Sequence, residues 1–262
     1  MKEIVSFFLL FYCFISISAQ GELDEQDRIF YRNEKSGSVM LNSNGFGANF
    51  RYGKRIDARN KILYDIDLVS IKHPKEIKVS NPYYNNRSFV YGKLNNFFTL
   101  RPGIGRQHEM YRKVDKGGIA IRYFYNGGVS IGLYKPIYYE VFHVTGPDAR
   151  QYYIEVEKFS AAIHQGDIYG RSGFFKGFNE IKFAPGVFVK AGLNFEYSTV
   201  DEIIHALEVG VVGDAFIRSI PLMANQKNSP FFFSLFVSYR FGKILNPIDP
   251  NSQKGIDNIF LK

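Results

Sequence analysis

The sequence predicts an all-β protein, a closed antiparallel β-barrel of about eight strands. Two observations lead to this prediction. The composition is rich in aromatic residues and glycine, with 26 Phe, 18 Tyr and 24 Gly among 262 residues, which fits many strands better than a helical bundle. Apolar residues also alternate with polar or small residues in segment after segment, which is the period of a strand with two unlike faces.

The N-terminus predicts an exported protein. Lys2 precedes a short apolar run, small residues follow it, and the chain turns polar at Gln20. This order is typical of a signal peptide, and the run is short for a membrane helix. We expect cleavage after Ala19, so residues 1–19 form the predicted signal peptide. Cys13, the only cysteine, lies inside it, so the mature chain has no thiol for a disulfide, a thiolate metal site or a nucleophile.

Strand signals recur from Phe46 to Gly242. Asn126-Gly127-Gly128 stands between two alternating runs and predicts a tight hairpin, because Asn-Gly is the strongest short hairpin signal. Residues 202–212 are ambiguous, since Thr199 with Glu202 also resembles a helix capping box, but the β-branched run that follows favours a strand. The predicted strands are residues 46–55, 61–71, 94–106, 119–125, 129–133, 187–197, 202–212 and 231–242, with ten strands as the alternative count.

The two faces of these strands favour a membrane barrel over a soluble one. One face is apolar, and the other combines glycine with charge, as in residues 47–53 and 190–196. Glycine destabilises a strand on a soluble surface, whereas in a narrow lumen it makes room for long charged neighbours. Tyr and Phe near the strand ends suit the two membrane–water interfaces. Residues 236–241 resemble the terminal aromatic signature of outer-membrane barrels, so we predict a transmembrane β-barrel in the bacterial outer membrane.

This prediction divides the chain into four parts. Residues 20–45 are expected to be a periplasmic leader, residues 46–243 the transmembrane barrel, and residues 244–262 a periplasmic C-terminal tail. An even number of strands places both termini in the periplasm. The predicted extracellular connections are residues 55–60, 107–116, 141–182 and 213–230, and the predicted periplasmic ones are residues 72–93, 126–128 and 198–201.

Several stretches carry a family resemblance, together with the signal that ends in Ala19-Gln20. They are Ile71-Lys72-His73-Pro74-Lys75-Glu76, Phe89-Val90-Tyr91-Gly92-Lys93-Leu94-Asn95, and residues 116–118 through Arg122-Tyr123-Phe124. These stretches resemble a family of small, uncharacterised outer-membrane β-barrel proteins of the Bacteroidota. The resemblance would cover most of the mature chain and implies no reaction. It does imply an accessory role in a larger envelope machine, such as the barrel-assembly or secretion complex.

The inward charges are expected to pair. An eight-stranded lumen is just wide enough for side chains to fill it, and unpaired charges would be costly there. We expect a salt-bridged plug, with a narrow channel as the alternative, in which conductance would depend on Arg122 and Arg240. The predicted lumen charges are Asp65, Asp67, Arg122, Lys190, Glu196 and Arg240.

The long outer connection predicts a contact surface. Residues 169–178 mix aromatic, glycine and basic residues, and aromatic and Arg side chains are favoured at interfaces. The alternative is a loop that packs across the barrel mouth. In the tail, Phe260 and Leu261 offer an apolar segment that could dock to a periplasmic partner. The predicted interface residues are thus Arg171, Phe174, Phe175, Phe178, Phe260 and Leu261.

We predict no enzyme, cofactor or metal. A weak cation site of His143, His164 and Asp167 is one alternative. A lipid A-modifying enzyme is another, but no motif orders Ser172, His164 and Glu180 as a hydrolase requires. The expected partners are outer-membrane lipid, lipopolysaccharide and other envelope proteins, and the formal charge of +8 suits anionic headgroups. We expect no nucleic acid, since an exported protein seldom meets any.

Overall fold

The computed structural model describes residues 33–81, 88–114, 117–145, 152–200, 202–224 and 226–245. The predicted signal peptide, half of the predicted leader (residues 20–32) and Phe260 and Leu261 lie outside the described residues. The strands are β1 (Asn33–Asn42), β2 (Gly45–Arg55), β3 (Asn60–Ile71), β4 (Lys78–Val79), β5 (Phe89–Val90), β6 (Asn95–Tyr111), β7 (Ala120–Pro136), β8 (Tyr138–Val144), β9 (Tyr152–Lys158), β10 (Ile168–Arg171), β11 (Lys182–Glu196), β12 (Ile203–Phe216) and β13 (Phe231–Leu245).

Eight of these strands close into an antiparallel barrel, which confirms the predicted fold class. Their order around the barrel is β1-β13-β12-β11-β7-β6-β3-β2. Closure depends on β1, which pairs with β13 on one side and with β2 on the other. The ambiguous segment at residues 202–212 lies in β12 and is a strand, as predicted.

The predicted strand list contains two errors that cancel in the count. Residues 33–42, assigned to the leader, form β1. This strand was missed because its first half is polar and charged, and only Val39 and Leu41 stand out as exposed apolar residues. The predicted hairpin at residues 119–133 is in turn a single strand, β7.

Asn126-Gly127-Gly128 lies in the middle of β7 and forms no turn. The segment pairs with β6 on one edge and with β11 on the other. A Cβ on Gly128 would lie 2.2 Å from the carbonyl oxygen of Pro102 and 2.7 Å from Cα of Gly103. Glycine is needed here for the close approach of two strands. The glycine that the sequence analysis assigned to a turn is therefore required for close packing between strands.

Because the predicted hairpin is a single strand, three connections lie at the end of the barrel opposite to the one predicted. Both chain ends of the barrel, at Asn33 and Leu245, lie at one end, which we call the terminal end. Residues 56–59 and the described residues of 112–119 also lie there, contrary to the prediction that grouped them with the long outer loop. The described residues of 72–94 lie at the opposite end, with those of 137–181 and 217–230, and not with the termini as predicted. All three long connections therefore extend from one end, which we call the cap end.

The exterior of the barrel is apolar and the interior is polar. In β13, for example, Leu235, Val237 and Tyr239 are exposed, whereas Ser238 and Arg240 are buried. The barrel strands have 10 to 17 residues, which is enough to cross a bilayer, since a tilted strand needs about 9–11 residues. Among the described residues, no helix has the length and apolar character to cross a membrane.

Candidate functional site

The middle of the lumen holds a network of ion pairs. The Arg51 guanidinium donates to Asp65, with Nε 2.7 Å from Oδ1 and Nη2 2.9 Å from Oδ2. Arg51 and Arg240 both donate to Glu208, at 2.7 Å and 2.8 Å. Lys190 Nζ lies 2.9 Å from Asp67 Oδ2. Three cations thus face three carboxylates, so this layer is neutral.

Neutral polar side chains and rings complete this layer. Asn49, Asn126 and Asn194 donate their amides to Asp67, Asp65 and Glu208 at 2.5, 2.5 and 2.9 Å. The Arg51 guanidinium also lies 4.7 Å from the centre of the Phe124 ring. Hydrogen bonds and apolar contacts together compensate for the desolvation of these buried charges.

A second group of charges lies at the terminal end. Lys61 Nζ lies 2.5 Å from Glu34 Oε2, and Arg122 pairs with both Glu109 and Glu196. Glu196 also accepts a hydrogen bond from Lys113, at 3.1 Å. Glu34 comes from β1, so its pair with Lys61 could not be predicted while β1 was assigned to the leader.

The cap end of the lumen is closed by an ion pair and an apolar cluster. Arg101 donates to Asp214 through two bonds of 2.8 and 2.6 Å, and Ser130 donates to the same carboxylate. Beyond this pair, side chains of the barrel pack with residues of the connection 217–230. The buried members of this cluster are Met40, Val69, Ile71, Phe97, Tyr134, Ala184, Phe216, Ile220, Leu222 and Met223.

All six predicted lumen charges lie inside the barrel, and all are paired. The middle layer contains Asp65, Asp67, Lys190 and Arg240. The second group, at the terminal end, contains Arg122 and Glu196. Sequence reasoning did not include Arg101 and Asp214, although their inward positions follow from the same alternation. The arrangement is that of a filled, charge-neutral plug.

The three long connections fold together into one structure, which we call the cap. It consists of the described residues of the connections 72–94, 137–181 and 217–230, and it contains the sheet β10-β8-β9 and the pair β4-β5. Backbone hydrogen bonds from Leu94 to Leu222 and from Ala224 to Gly92, both 2.8 Å, join the first and last segments. The buried core of the cap comprises Phe89, Ile137, Tyr139, Val141, Ile163 and Ile168.

Tyr139 ties two segments of the cap to each other. Its hydroxyl lies 2.8 Å from the carbonyl oxygen of Val90 and 2.7 Å from that of Lys93, and burial raises its pKa. Asn81 donates to the carbonyl oxygens of Gly166 and Ile168, at 3.1 and 2.7 Å. A buried core with such ties distinguishes the cap from a set of independent loops.

An exposed aromatic triad, Phe174, Phe175 and Phe178, projects from the cap. The three ring centres lie 5.6 to 5.9 Å apart. Lys135 on β7 anchors the loop that carries the triad, because its Nζ donates to the carbonyl oxygens of Phe174 and Lys176 at 2.7 and 2.9 Å. The Phe175 side chain is nevertheless 82% exposed. The triad is thus an ordered apolar surface in contact with solvent.

A polar cluster next to the triad fixes the end of the same loop. Glu180 accepts hydrogen bonds from Lys158 and from the Tyr138 hydroxyl. These bonds lower the pKa of Glu180, with Lys158 as the larger cause. The bond to Glu180 in turn raises the pKa values of Lys158 and Tyr138. The cluster is therefore most favourable near neutral pH.

The residues considered for catalysis or metal binding do not come together as one site. His143 Nε2 lies 2.9 Å from Glu157, and His164 lies 3.6 Å from Asp167. The described residues contain no group of three His, Cys, Asp or Glu side chains arranged to hold a metal ion. Within the same part of the chain, no hydrogen bond joins Ser172 to His164, and Glu180 belongs to the polar cluster.

Together, the closed sheet, the charge-filled interior and the apolar exterior define an eight-stranded barrel of the membrane-spanning type. No known family model matches the sequence, and no curated protein matches it. Two similar solved structures are Neisserial surface protein A, NspA (10% identity, TM-score 0.36, covering 81% of this chain and 95% of that one), and the N-terminal β-barrel domain of Pseudomonas aeruginosa OprF (7% identity, TM-score 0.33, covering 81% and 97%).

Proposed function

We propose that the protein is an outer-membrane β-barrel that acts as a non-enzymatic, accessory subunit of a larger envelope complex. In this role the filled barrel is the membrane anchor, and the cap presents the contact surface. The observation that carries the proposal is the exposed aromatic triad, which an ordered scaffold holds in solvent. Exposed aromatic side chains on a rigid support are favoured anchors of protein interfaces.

The interior supports an anchor better than a channel. The carboxylates and guanidiniums of the middle layer bridge strands across the lumen, and their residues are at most 2% exposed. The apolar cluster covers the same interior at the cap end. A planar-bilayer recording of the purified protein should therefore show no steady conductance. Steady conductance would contradict the plug and favour the channel alternative.

The test is a mild-detergent pull-down of the tagged protein from its native membranes, followed by mass spectrometry. The wild-type protein should retain one or more large envelope proteins in stoichiometric amounts, and Phe175→Ser should lose most of them. Ile77→Ser is the matched control, because Ile77 is an exposed apolar residue of the cap outside the triad, with 71% exposure. It should retain the same partners as the wild type.

Two results would overturn the proposal. One is a wild-type protein that is recovered from its membranes without any stoichiometric partner. The other is equal retention of the partner by Phe175→Ser and the wild type. Heat-modifiable migration on a gel shows whether each variant has a folded barrel, so a folding failure is not mistaken for a loss of binding.

A further inference from the structure

A basic pocket lies between the cap and the rim of the barrel. Its volume is about 360 Å³, which is in the range of small-molecule sites. Apolar side chains such as Phe89 and Ile137 form part of the wall. The charged lining residues are four cations and one carboxylate, namely Lys72, Lys78, Lys93, Arg171 and Glu76.

Three of the four cations have no counter-charge within the described part of the chain. Lys93 Nζ lies 2.5 Å from Glu76 Oε2, which uses the one carboxylate of the pocket. Among the residues that the structure describes, Lys72, Lys78 and Arg171 form no ion pair. This contrasts with the lumen of the same protein, where each described charge of the middle layer has a partner. The pocket therefore carries an uncompensated positive charge.

The cations are close enough to affect one another. Burial lowers the pKa of Lys93, and the positive charges of Lys72 and Arg171 lower it further, against the opposing effect of Glu76. Lys93 itself is only 9% exposed. Lys72 and Lys93 lie at the two ends of the connection 72–94, and Arg171 lies in the connection 137–181, so the fold has to bring like charges together. Such repulsion is relieved when an anion binds.

The position of the pocket suits a phosphorylated ligand. Lys72 follows β3 directly, and its Nζ lies 5.6 Å from the centre of the Phe46 ring on the barrel exterior. In the proposed membrane orientation, the pocket opens at the level of the lipid headgroups, where phosphate groups concentrate. Arg presents a planar fork of donors, and Lys presents a point charge, which together suit a phosphate group.

We infer that this pocket is a binding site for a phosphorylated ligand, with Arg171, Lys72 and Lys78 as the contacts to the phosphate group. The shared chemistry is a phosphate monoester or inorganic phosphate, from either a glycolipid headgroup or a soluble compound. The pocket itself is independent of the proposed accessory role. Only the glycolipid source depends on the outer-membrane placement.

The test measures binding by the full chain in detergent and in nanodiscs. Isothermal titration calorimetry uses inorganic phosphate and glucose 1-phosphate as soluble probes. Nanodiscs of phosphatidylcholine, with and without bisphosphorylated lipid A, are the lipid probe. Arg171→Gln and Lys72→Gln should each weaken binding about tenfold, which corresponds to about 1.4 kcal/mol. Lys176→Gln, an exposed cap cation outside the pocket lining, is the control and should bind as the wild type does.

Each outcome decides the inference. Binding of the soluble probes supports a soluble phosphorylated ligand, and binding of lipid A alone supports a glycolipid. In both cases the two pocket variants must bind more weakly than Lys176→Gln. Absence of binding to every probe overturns the inference, as does equal binding by the pocket variants and the control. Neither result changes the partner retention measured for Phe175→Ser, so the two proposals fail separately.

Discussion

Arg51 on β2 and Glu208 on β12 form an ion pair across the lumen, with Nη1 2.7 Å from Oε1. Their strands are not neighbours, because β1 and β13 lie between them in the barrel. Glu208 is fully buried, at 0% exposure, and also accepts two hydrogen bonds from Arg240. One carboxylate thus connects distant parts of the wall and pairs with two guanidiniums.

Glu208→Ala should destabilise the barrel strongly. The substitution leaves Arg51 and Arg240 buried with less negative charge around them, and removing one partner of a buried pair costs about 3–5 kcal/mol. The expected result is a matching loss in the free energy of unfolding. The chain has no Trp, so unfolding in urea is best followed by circular dichroism and by gel migration.

The control for this prediction is Glu202→Ala. Glu202 is an exposed carboxylate immediately before β12, so its removal should change the free energy of unfolding by less than about 0.5 kcal/mol. If Glu208→Ala unfolds at the same urea concentration as Glu202→Ala, the lumen network does not stabilise the barrel.

Gly128→Ala should also destabilise the barrel, for a steric reason. The added Cβ would meet the carbonyl oxygen of Pro102 at 2.2 Å, so the backbone of β6 or β7 would have to move. Gly213→Ala is a matched control in β12, because a Cβ there has no heavy atom within 4 Å. We expect a lower unfolding midpoint for Gly128→Ala only. Equal midpoints for the two variants would show that β6 and β7 do not approach as described.

Gly128 also shows why local sequence signals predicted most, but not all, of the barrel. Alternation placed β2, β3, β12 and β13, and it assigned their faces, because a period of two is a property of each strand by itself. Asn126-Gly127-Gly128 was misread because glycine serves both tight turns and close strand approach. β1 was missed because its role in closing the sheet depends on β13, about two hundred residues away.

The stability of the triad loop should depend on pH through Glu180. Its folded pKa lies below the ordinary value of 4.5, so its contribution is present above that value and disappears as pH falls through the lower folded pKa. Lys158 and Tyr138 have raised pKa values, so their contribution disappears only as pH rises above about 10. The loop should therefore be most protected between about pH 5 and 10.

Hydrogen exchange measured by mass spectrometry checks this pH dependence. After correction for intrinsic exchange, peptides from residues 172–181 should exchange faster at pH 3 than at pH 7 in the wild type. In Glu180→Gln the difference between the two pH values should be much smaller. An equal difference in both proteins would mean that Glu180 does not control the loop.

The cap was only partly predictable, because its surfaces join residues from distant segments. The composition of residues 169–178 drew attention to Phe174, Phe175 and Phe178, since aromatic and basic residues stand out in a loop. The pocket could not be predicted, because Lys72 and Arg171 lie about a hundred residues apart in the chain. They lie close together because all three long connections extend from the same end of the barrel. The wrongly predicted hairpin had placed residues 72–93 and 141–182 at opposite ends.

The central claim is that the apolar exterior of the barrel faces lipid while its charges face inward. Site-directed spin labelling tests it most directly, in a Cys13→Ser background and with the protein in lipid bilayers. Labels at Leu41, Val189 and Val237, which are 68%, 66% and 49% exposed, should collide frequently with lipid-soluble oxygen and rarely with a water-soluble nickel complex. A label at Ile77 in the cap should show the opposite. Nickel accessibility at the three barrel positions equal to that at Ile77 would contradict the membrane barrel.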